Sequence, residues 1–267
     1  MRSKRQKATK RLLVLGSLNP VYLKVLNTLV APQGIVCESV DFDQSAGVVD
    51  PDHLEGYLQG GFDALVIMQP NFFGCLELVD VLTDWAHAHD ALVIAVVNPI
   101  AMALLKPPGE WGEQGADIAC GEGQPLGVPM SFGGPYLGFM GCKQALIRQM
   151  PGRVVGRTTD TQGREGFVLT LQAREQHIRR GKATSNICTN QGLLVVAATM
   201  YMAFLGPEGL RRVAIDCHNK MQQLLAIMDD IPGVKPLFSS PVFHECVLTL
   251  EGSVNEIVIN MGRKGVL

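Results

Sequence analysis

The chain has 267 residues, 47% of them hydrophobic and 18% charged, with a formal net charge of −2. That length allows one large or two modest domains and is enough to bury a core without disulfides or a structural metal. Near-average glycine (29) and proline (15) exclude collagen-like and low-complexity classes, and the apolar content excludes disorder.

Residues 1–11, MRSKRQKATKR, hold six of the 23 basic residues and no acid, and are expected to form a solvated tail. Without them the chain has 17 basic against 25 acidic residues, a balance of −8 that argues against a nucleic-acid partner. No secretory h-region follows the tail. Leu12–Leu15 reads as a strand, and Asn19-Pro20 opens a helix to about Val30, with proline at its first position. Ile35–Val40 is the next strand. Asp50 is a plausible N-cap for a helix over 51–59. Strand Ala64–Met68, helix Leu76–His89 and strand Ala91–Val97 follow. The strands are continuous Leu/Ile/Val runs, as expected of parallel strands covered on both faces, so alternating βα units predict a parallel sheet.

Beyond Val97 the composition shifts to Gly and Pro, with short strands expected at Ala116–Cys120 and Tyr136–Gly141 and a helix over Cys142–Met150. Phe167–Leu171 reads as an edge strand. Two long helices, about 190–204 and 207–229, are separated by Gly206-Pro207; strand Phe243–Leu250 and a helix over 252–263 close the chain. Each apolar run is interrupted by Gly, Asn, Asp or Lys before reaching the roughly 18–20 residues of a membrane span, so no membrane partner is expected. The seven cysteines are odd in number and scattered, which points to a reducing compartment and a cytoplasmic protein.

Residues 121–141, GEGQPLGVPMSFGGPYLGFMG, concentrate glycine at the end of the alternating region. Gly121, Gly123 and Gly127 form a weak dinucleotide-like pattern, but Pro125 and Pro129 stand where a helix should open. A tight, irregular loop accounts for them equally well. Residues 171–191, LQAREQHIRRGKATSNICTNQ, place Arg174, Arg179, Arg180 and Lys182 within nine residues, beside Glu175 and His177, then run through Ser185 and Asn186 to candidate helix caps at Thr189-Asn190. Arginines beside a helix start suit a phosphate or carboxylate; the plain alternative is a solvated basic face. Metal binding has little support, since His87 and His89 diverge on a helix and His244 with Cys246 lacks further ligands. No G-x-S-x-G elbow occurs, and Cys188 reads better as a buried thiol than as a nucleophile.

Taken together, GADIACGEGQPLGVPMSFGGPYLGF (115–139) and the segment from MPGRVVG to GKATSNICTNQ (150–191) resemble the glycine cleavage P-protein family, and more narrowly subunit 1 of its two-chain form. QPNFFG (69–74) and NPIAMALLKPPGEWG (98–112) fit the same family. The resemblance implies an α/β three-layer sandwich with a mostly parallel sheet, the large domain of fold type I pyridoxal-phosphate-dependent transferases. The large domain is expected over 12–230, with the start of a small C-terminal α/β domain over 231–267, and the match implies a chain shortened at both ends relative to the family.

In such enzymes a lysine forms the Schiff base with the cofactor and an aspartate pairs with the pyridine nitrogen. The matching places here are held by Gln124, within Gly121–Pro125, and by Asn98, so both mark a vestigial site and no catalytic residue is expected. The resemblance therefore implies that the cofactor, pyridoxal 5'-phosphate, is held by a catalytic partner, P-protein subunit 2, in a heterotetramer. It further implies that Ser131, Gly133 and Gly134 face the phosphate of the partner's cofactor. Arg174, His177, Arg179, Arg180, Lys182, Ser185 and Asn186 are expected to line an interface or the entrance for the lipoyl arm of H-protein. The implied activity is glycine decarboxylation with aminomethyl transfer to that lipoyl group; the alternative is a non-catalytic paralogue acting only as an interaction protein.

Overall fold

A computed structural model describes residues 9–186 and 191–266. Five parallel strands form the body of a six-stranded sheet of order β2-β1-β3-β4-β5-β6, and the edge strand β6 runs antiparallel. The parallel strands are β1 (Arg11–Leu15), β2 (Val36–Val40), β3 (Ala64–Gln69), β4 (Leu92–Val97) and β5 (Ile118–Glu122); β6 is Gly138–Cys142. Alternate side chains divide between two faces, as the pleat requires. Leu13, Leu15, Leu65, Ile67, Val93 and Ala95 enter the main core with Phe62, Leu82 and Trp111. Val14 and Val66 point the other way, toward Leu18 and the partly buried Leu23 and Leu26. Fully buried side chains of this kind each contribute about 1.5–3 kcal/mol, which pins the register.

Helix α1 (Pro20–Val30) starts where the sequence predicts, with the Asn19 side chain accepting from Val21 N at 2.9 Å. Asp50 caps in the same way, accepting from Asp52 N at 3.0 Å, but the turn it opens is a 3-10 helix, Pro51–Tyr57, rather than an α-helix over 51–59. The segment expected as a helix over 142–150 is likewise 3-10, Gln144–Gln149. Helix α2 (Val79–Ala88) begins three residues later than expected, and the preceding segment is held instead by Leu76 N donating to Pro241 O and Glu77 N to Gln69 Oε1. The expected tail also ends sooner: Arg11 opens β1, its guanidinium bonded to Glu38 Oε2 at 2.6 Å and to the carbonyls of Tyr57, Gln59 and Gly61.

Past the sheet, Val154–Thr159 (β7) and Glu165–Thr170 (β8) pair as a separate antiparallel hairpin, followed by the single-turn helix α3 (Gln176–Arg179). The two long helices expected on either side of Gly206-Pro207 are present within Gly192–Asp229, together labelled α4, with non-helical backbone between them at Gly206, where φ is 61° and ψ is −177°. An 18-residue window of α4 has a mean hydropathy of 1.5, so length and composition alone would let it cross a membrane. That window spans the break at Gly206, one of the glycines the sequence reading counted as an interruption. Only a small share of the window is buried, and Leu193 and Phe204 are 82% and 89% exposed.

The chain ends with β9 (Val234–Pro236), β10 (Leu248–Leu250) and α5 (Val254–Arg263). The strand expected over 243–250 is present only in its last three residues. Residues 237–247 instead pack against the large sheet's loops: Val242 bridges Cys75, Phe238 lies 4.8 Å from Phe73 between ring centroids, and Phe243 is buried with Ile100, Ala101 and Ala214.

Candidate functional site

Parallel strands end at one edge of the sheet, where open α/β sheets bind their ligands. There a cleft of about 660 Å³ opens between β3, β4, the turn after β5, the second half of α4 and residues 244–248. Its floor includes Met68, Val96, Val97 and Leu248, and Tyr22 and Phe72 stand on its wall. Beside Asn19, the Tyr22 hydroxyl and Cys246, its polar lining comprises Asn98, Glu122, Gln124, His244 and Glu245.

Asn98, the residue after β4, is committed to its own loop. Its Oδ1 accepts from Ile100 N at 2.9 Å and Ala101 N at 3.2 Å, capping the turn, and its Nδ2 lies 3.5 Å from His244 Nε2. Gln124 is held similarly: its backbone N donates to Glu122 Oε1 at 3.0 Å and its Nε2 to Val128 O. Glu122 also accepts from Leu137 N at 2.9 Å, so its carboxylate ties the glycine-rich loop to β5. The structure thus brings Asn98 and Gln124 into one cleft and adds Glu122, Glu245 and His244. The sequence weighs His244 only with Cys246 as a metal ligand and gives no sign of either glutamate, because their cleft forms only when residues 244–248 return over the strand ends.

Electrostatically the cleft is unsuited to a bound phosphate. Burial raises the Tyr22 phenol above its usual range, and the charges of Glu122 and Glu245 raise it further. Burial lowers the His244 imidazole, favouring its neutral form, against a smaller opposing effect of Glu245; its Nδ1 is buried without a partner. Among the described residues no lysine or arginine lines the cleft. Lys106 pairs with Asp80 at 2.9 Å and Lys143 with Asp117 at 2.8 Å, both outside the cleft lining. Pyridoxal phosphate needs an amine for its Schiff base, an acid for its pyridine nitrogen and donors for its phosphate. The residues present do not fit that group. Among the described residues no set of three His, Cys, Asp or Glu side chains is arranged to hold a metal.

Ser131, Gly133 and Gly134 do not line this cleft. They sit on an exposed loop with positive φ at all four of residues 131–134, where Phe132 is fully exposed. Gly133 N donates to Tyr136 Oη at 3.2 Å, and that hydroxyl donates to Met130 O.

The basic segment divides into groups with different roles. Arg174 is held in place, its Nη atoms donating to Met150 O and Gly152 O and clamping the start of the hairpin. Arg179 and Lys182 line a separate cavity, Arg180 is exposed with φ of 53°, and His177 Nδ1 lies 3.7 Å from the buried Glu175. Ser185 is partly buried and Asn186 exposed. Cys188 and the expected caps Thr189-Asn190 lie outside the described residues. The six described cysteines are free.

Comparison with known proteins agrees with this architecture. The family model of the glycine cleavage system P-protein matches residues 1–264. A probable glycine dehydrogenase (decarboxylating) subunit 1 of Coxiella burnetii is 60% identical over 266 residues, covering 100% of this chain and 59% of the relative. The protein of the same name from Nitrosomonas europaea is 56% identical over 267 residues, again covering 100% of this chain and 59% of its own length. This chain therefore spans under two thirds of these relatives. Among solved structures, an inhibitor-bound glycine decarboxylase (P-protein) of the glycine cleavage system superposes with a TM-score of 0.87 at 39% identity, over 96% of this chain and 57% of that one. A sphingosine-1-phosphate lyase from Burkholderia pseudomallei shares the fold alone, with a TM-score of 0.63 at 16% identity over 96% of this chain and 54% of that one. The sheet is that of fold type I pyridoxal-phosphate enzymes, and the chain belongs to the glycine cleavage system P-protein family.

Proposed function

We propose that this chain serves as the subunit of glycine dehydrogenase (decarboxylating) that does not hold the cofactor. It supports glycine decarboxylation and aminomethyl transfer to the lipoyl group of H-protein by a partner subunit that bears pyridoxal phosphate. The observation that carries this reading is the strand-end cleft, which among the described residues presents two carboxylates and no amine that could hold the cofactor. The relatives are named as subunit 1, which supports a second, catalytic subunit. The exposed apolar face of α4 suits a protein interface in a heterotetramer better than a membrane, because the break at Gly206 divides the helix. The loop at Ser131, Gly133 and Gly134 is assigned to the partner's cofactor phosphate, on its positive-φ backbone, a conformation that can cradle an anion, and on the exposure of Ser131 and Gly133. The cytoplasm is the compartment proposed, on the number and scatter of the cysteines.

Mixing the chain with its catalytic partner and measuring glycine–bicarbonate exchange tests the reading. Exchange above that of the partner alone is expected. Binding without any gain in exchange would favour the interaction-only paralogue, for which the same α4 face would serve. Borohydride treatment of the isolated chain with pyridoxal phosphate is expected to leave no stable lysine adduct; an adduct would move the cofactor to this chain.

A further inference from the structure

We propose that a second cavity, distinct from the strand-end cleft, binds a small organic oxyanion carrying two or more negative charges, of the phosphate-ester or polycarboxylate class. The cavity, about 450 Å³, lies between the 3-10 turn Gln144–Gln149 and the segment from Leu171 to Thr184. Four cations line it, Arg148, Arg174, Arg179 and Lys182, and no acidic side chain does among the described residues. Among the described residues Arg148, Arg179 and Lys182 make no ion pair. Glu175, the carboxylate nearest in sequence, is buried outside the lining.

Three unpaired cations beside a fourth repel one another, and a concave wall focuses their field instead of dispersing it into water. General basicity of the chain does not explain the arrangement, because residues 12–267 carry a balance of −8. The Arg174 Nη atoms are used on Met150 O and Gly152 O, which fixes its guanidinium in the cavity wall beside the three unpaired cations. Arg179 adds the planar fork that matches phosphate or carboxylate oxygens, Lys182 a mobile ammonium, and Thr184 a hydroxyl. Leu171 and Ala173 contribute an apolar patch that suits a carbon skeleton, and the volume is of small-molecule size. A nucleic acid would need a basic stripe extending over the body, which the acidic balance argues against. None of these residues lines the strand-end cleft, so the assignment stands independently of the subunit reading.

The test is calorimetric titration of the whole chain with pyrophosphate and, separately, citrate, beside the double variant Arg179→Ala/Lys182→Ala. Saturable binding at or below roughly 1 mM in low salt is expected, weakened at least tenfold by the double variant and by added salt. Ligand should also raise the melting temperature of the parent chain and not of the variant. Tighter pyrophosphate assigns a phosphate ester, tighter citrate a polycarboxylate. Arg148→Ala is a second variant should the double variant fail to fold; it too should weaken binding. Absence of heat and of a melting shift with either anion overturns the proposal, as does unchanged affinity in the variants. A glutamate-rich peptide that binds and is not displaced by pyrophosphate also overturns it, in favour of a protein-docking surface.

Discussion

The Ser17 hydroxyl donates to Glu77 Oε1 across 2.6 Å, joining residues sixty positions apart in a buried space just beyond the ends of β1 and β3. Asn71 Nδ2 donates to the same oxygen at 2.7 Å, and Val49 N donates to Oε2 at 3.0 Å. One carboxylate thereby anchors three of the loops that build the strand-end edge. Burial raises its pKa above the usual carboxylate value, and the three hydrogen bonds oppose that rise without cancelling it. A raised folded pKa means that the native state binds the proton more tightly, so this group's contribution is full below pH 4.5 and is lost as pH rises through the folded value.

Glu77→Ala is expected to destabilise the chain by about 2–4 kcal/mol, the range for breaking a buried polar network. Glu77→Gln should cost less and remove the pH dependence just above pH 4.5. Urea unfolding of the three proteins across pH 4–7 checks both; an alanine variant as stable as the parent would refute the anchoring role.

Asp117 behaves with the opposite sign. Burial opposes its ionisation, but hydrogen bonds from Lys143, Val93 N and His87, with the charge of Lys143, outweigh it and hold the carboxyl below its ordinary value. Its stabilisation is present above pH 3.8 and is lost as pH falls through the depressed folded value. Asp117→Asn should therefore flatten the acid limb of the stability profile and cost about 2–3 kcal/mol at pH 7. Denaturant midpoints between pH 2.5 and 7 measure it; an unchanged acid limb would exclude the mechanism.

Asn98→Ala removes the acceptor that caps residues 100 and 101, with an expected cost of about 1 kcal/mol. Asn98→Asp keeps that acceptor and should leave stability within about 0.5 kcal/mol of the parent. It should not confer a Schiff-base absorbance with pyridoxal phosphate, because the cleft lacks an amine. Thermal melts and an absorbance scan decide both points.

Gly74 has φ of 81°, and a Cβ built there would lie 2.0 Å from Glu245 O. Gly74→Ala must displace residues 243–247 from the strand-end edge, since the obstruction is backbone and cannot rotate away. A loss of about 3 kcal/mol or more is expected, with proteolysis appearing near residues 240–250. A resistant variant with parental stability would show that this segment is not seated as described.

Local signals were legible wherever neighbours in sequence decide the outcome. The apolar runs Leu12–Leu15, Ala64–Met68 and Ala91–Val97 named three sheet strands within two residues, and Asn19 and Asp50 do cap the turns that follow them. Where the competition was close, tertiary packing chose: residues 51–57 and 144–149 settled into 3-10 turns, and β7 was missed because Val154–Thr159 has the mixed face of an exposed hairpin. Arg174 read as a free cation because its carbonyl partners at Met150 and Gly152 lie more than twenty residues away.

Residue type and order alone were enough to identify the family and the parallel sheet, because motifs and apolar runs are properties of the chain itself. Which groups converge was a matter of folding. Glu122, Glu245 and His244 come together with Asn98 only when residues 237–247 cross back over the sheet, and Glu77 finds Ser17 and Val49 only once three loops meet. The reason is physical: burial and hydrogen bonding act through space, and partners dozens of residues apart leave no periodicity to read.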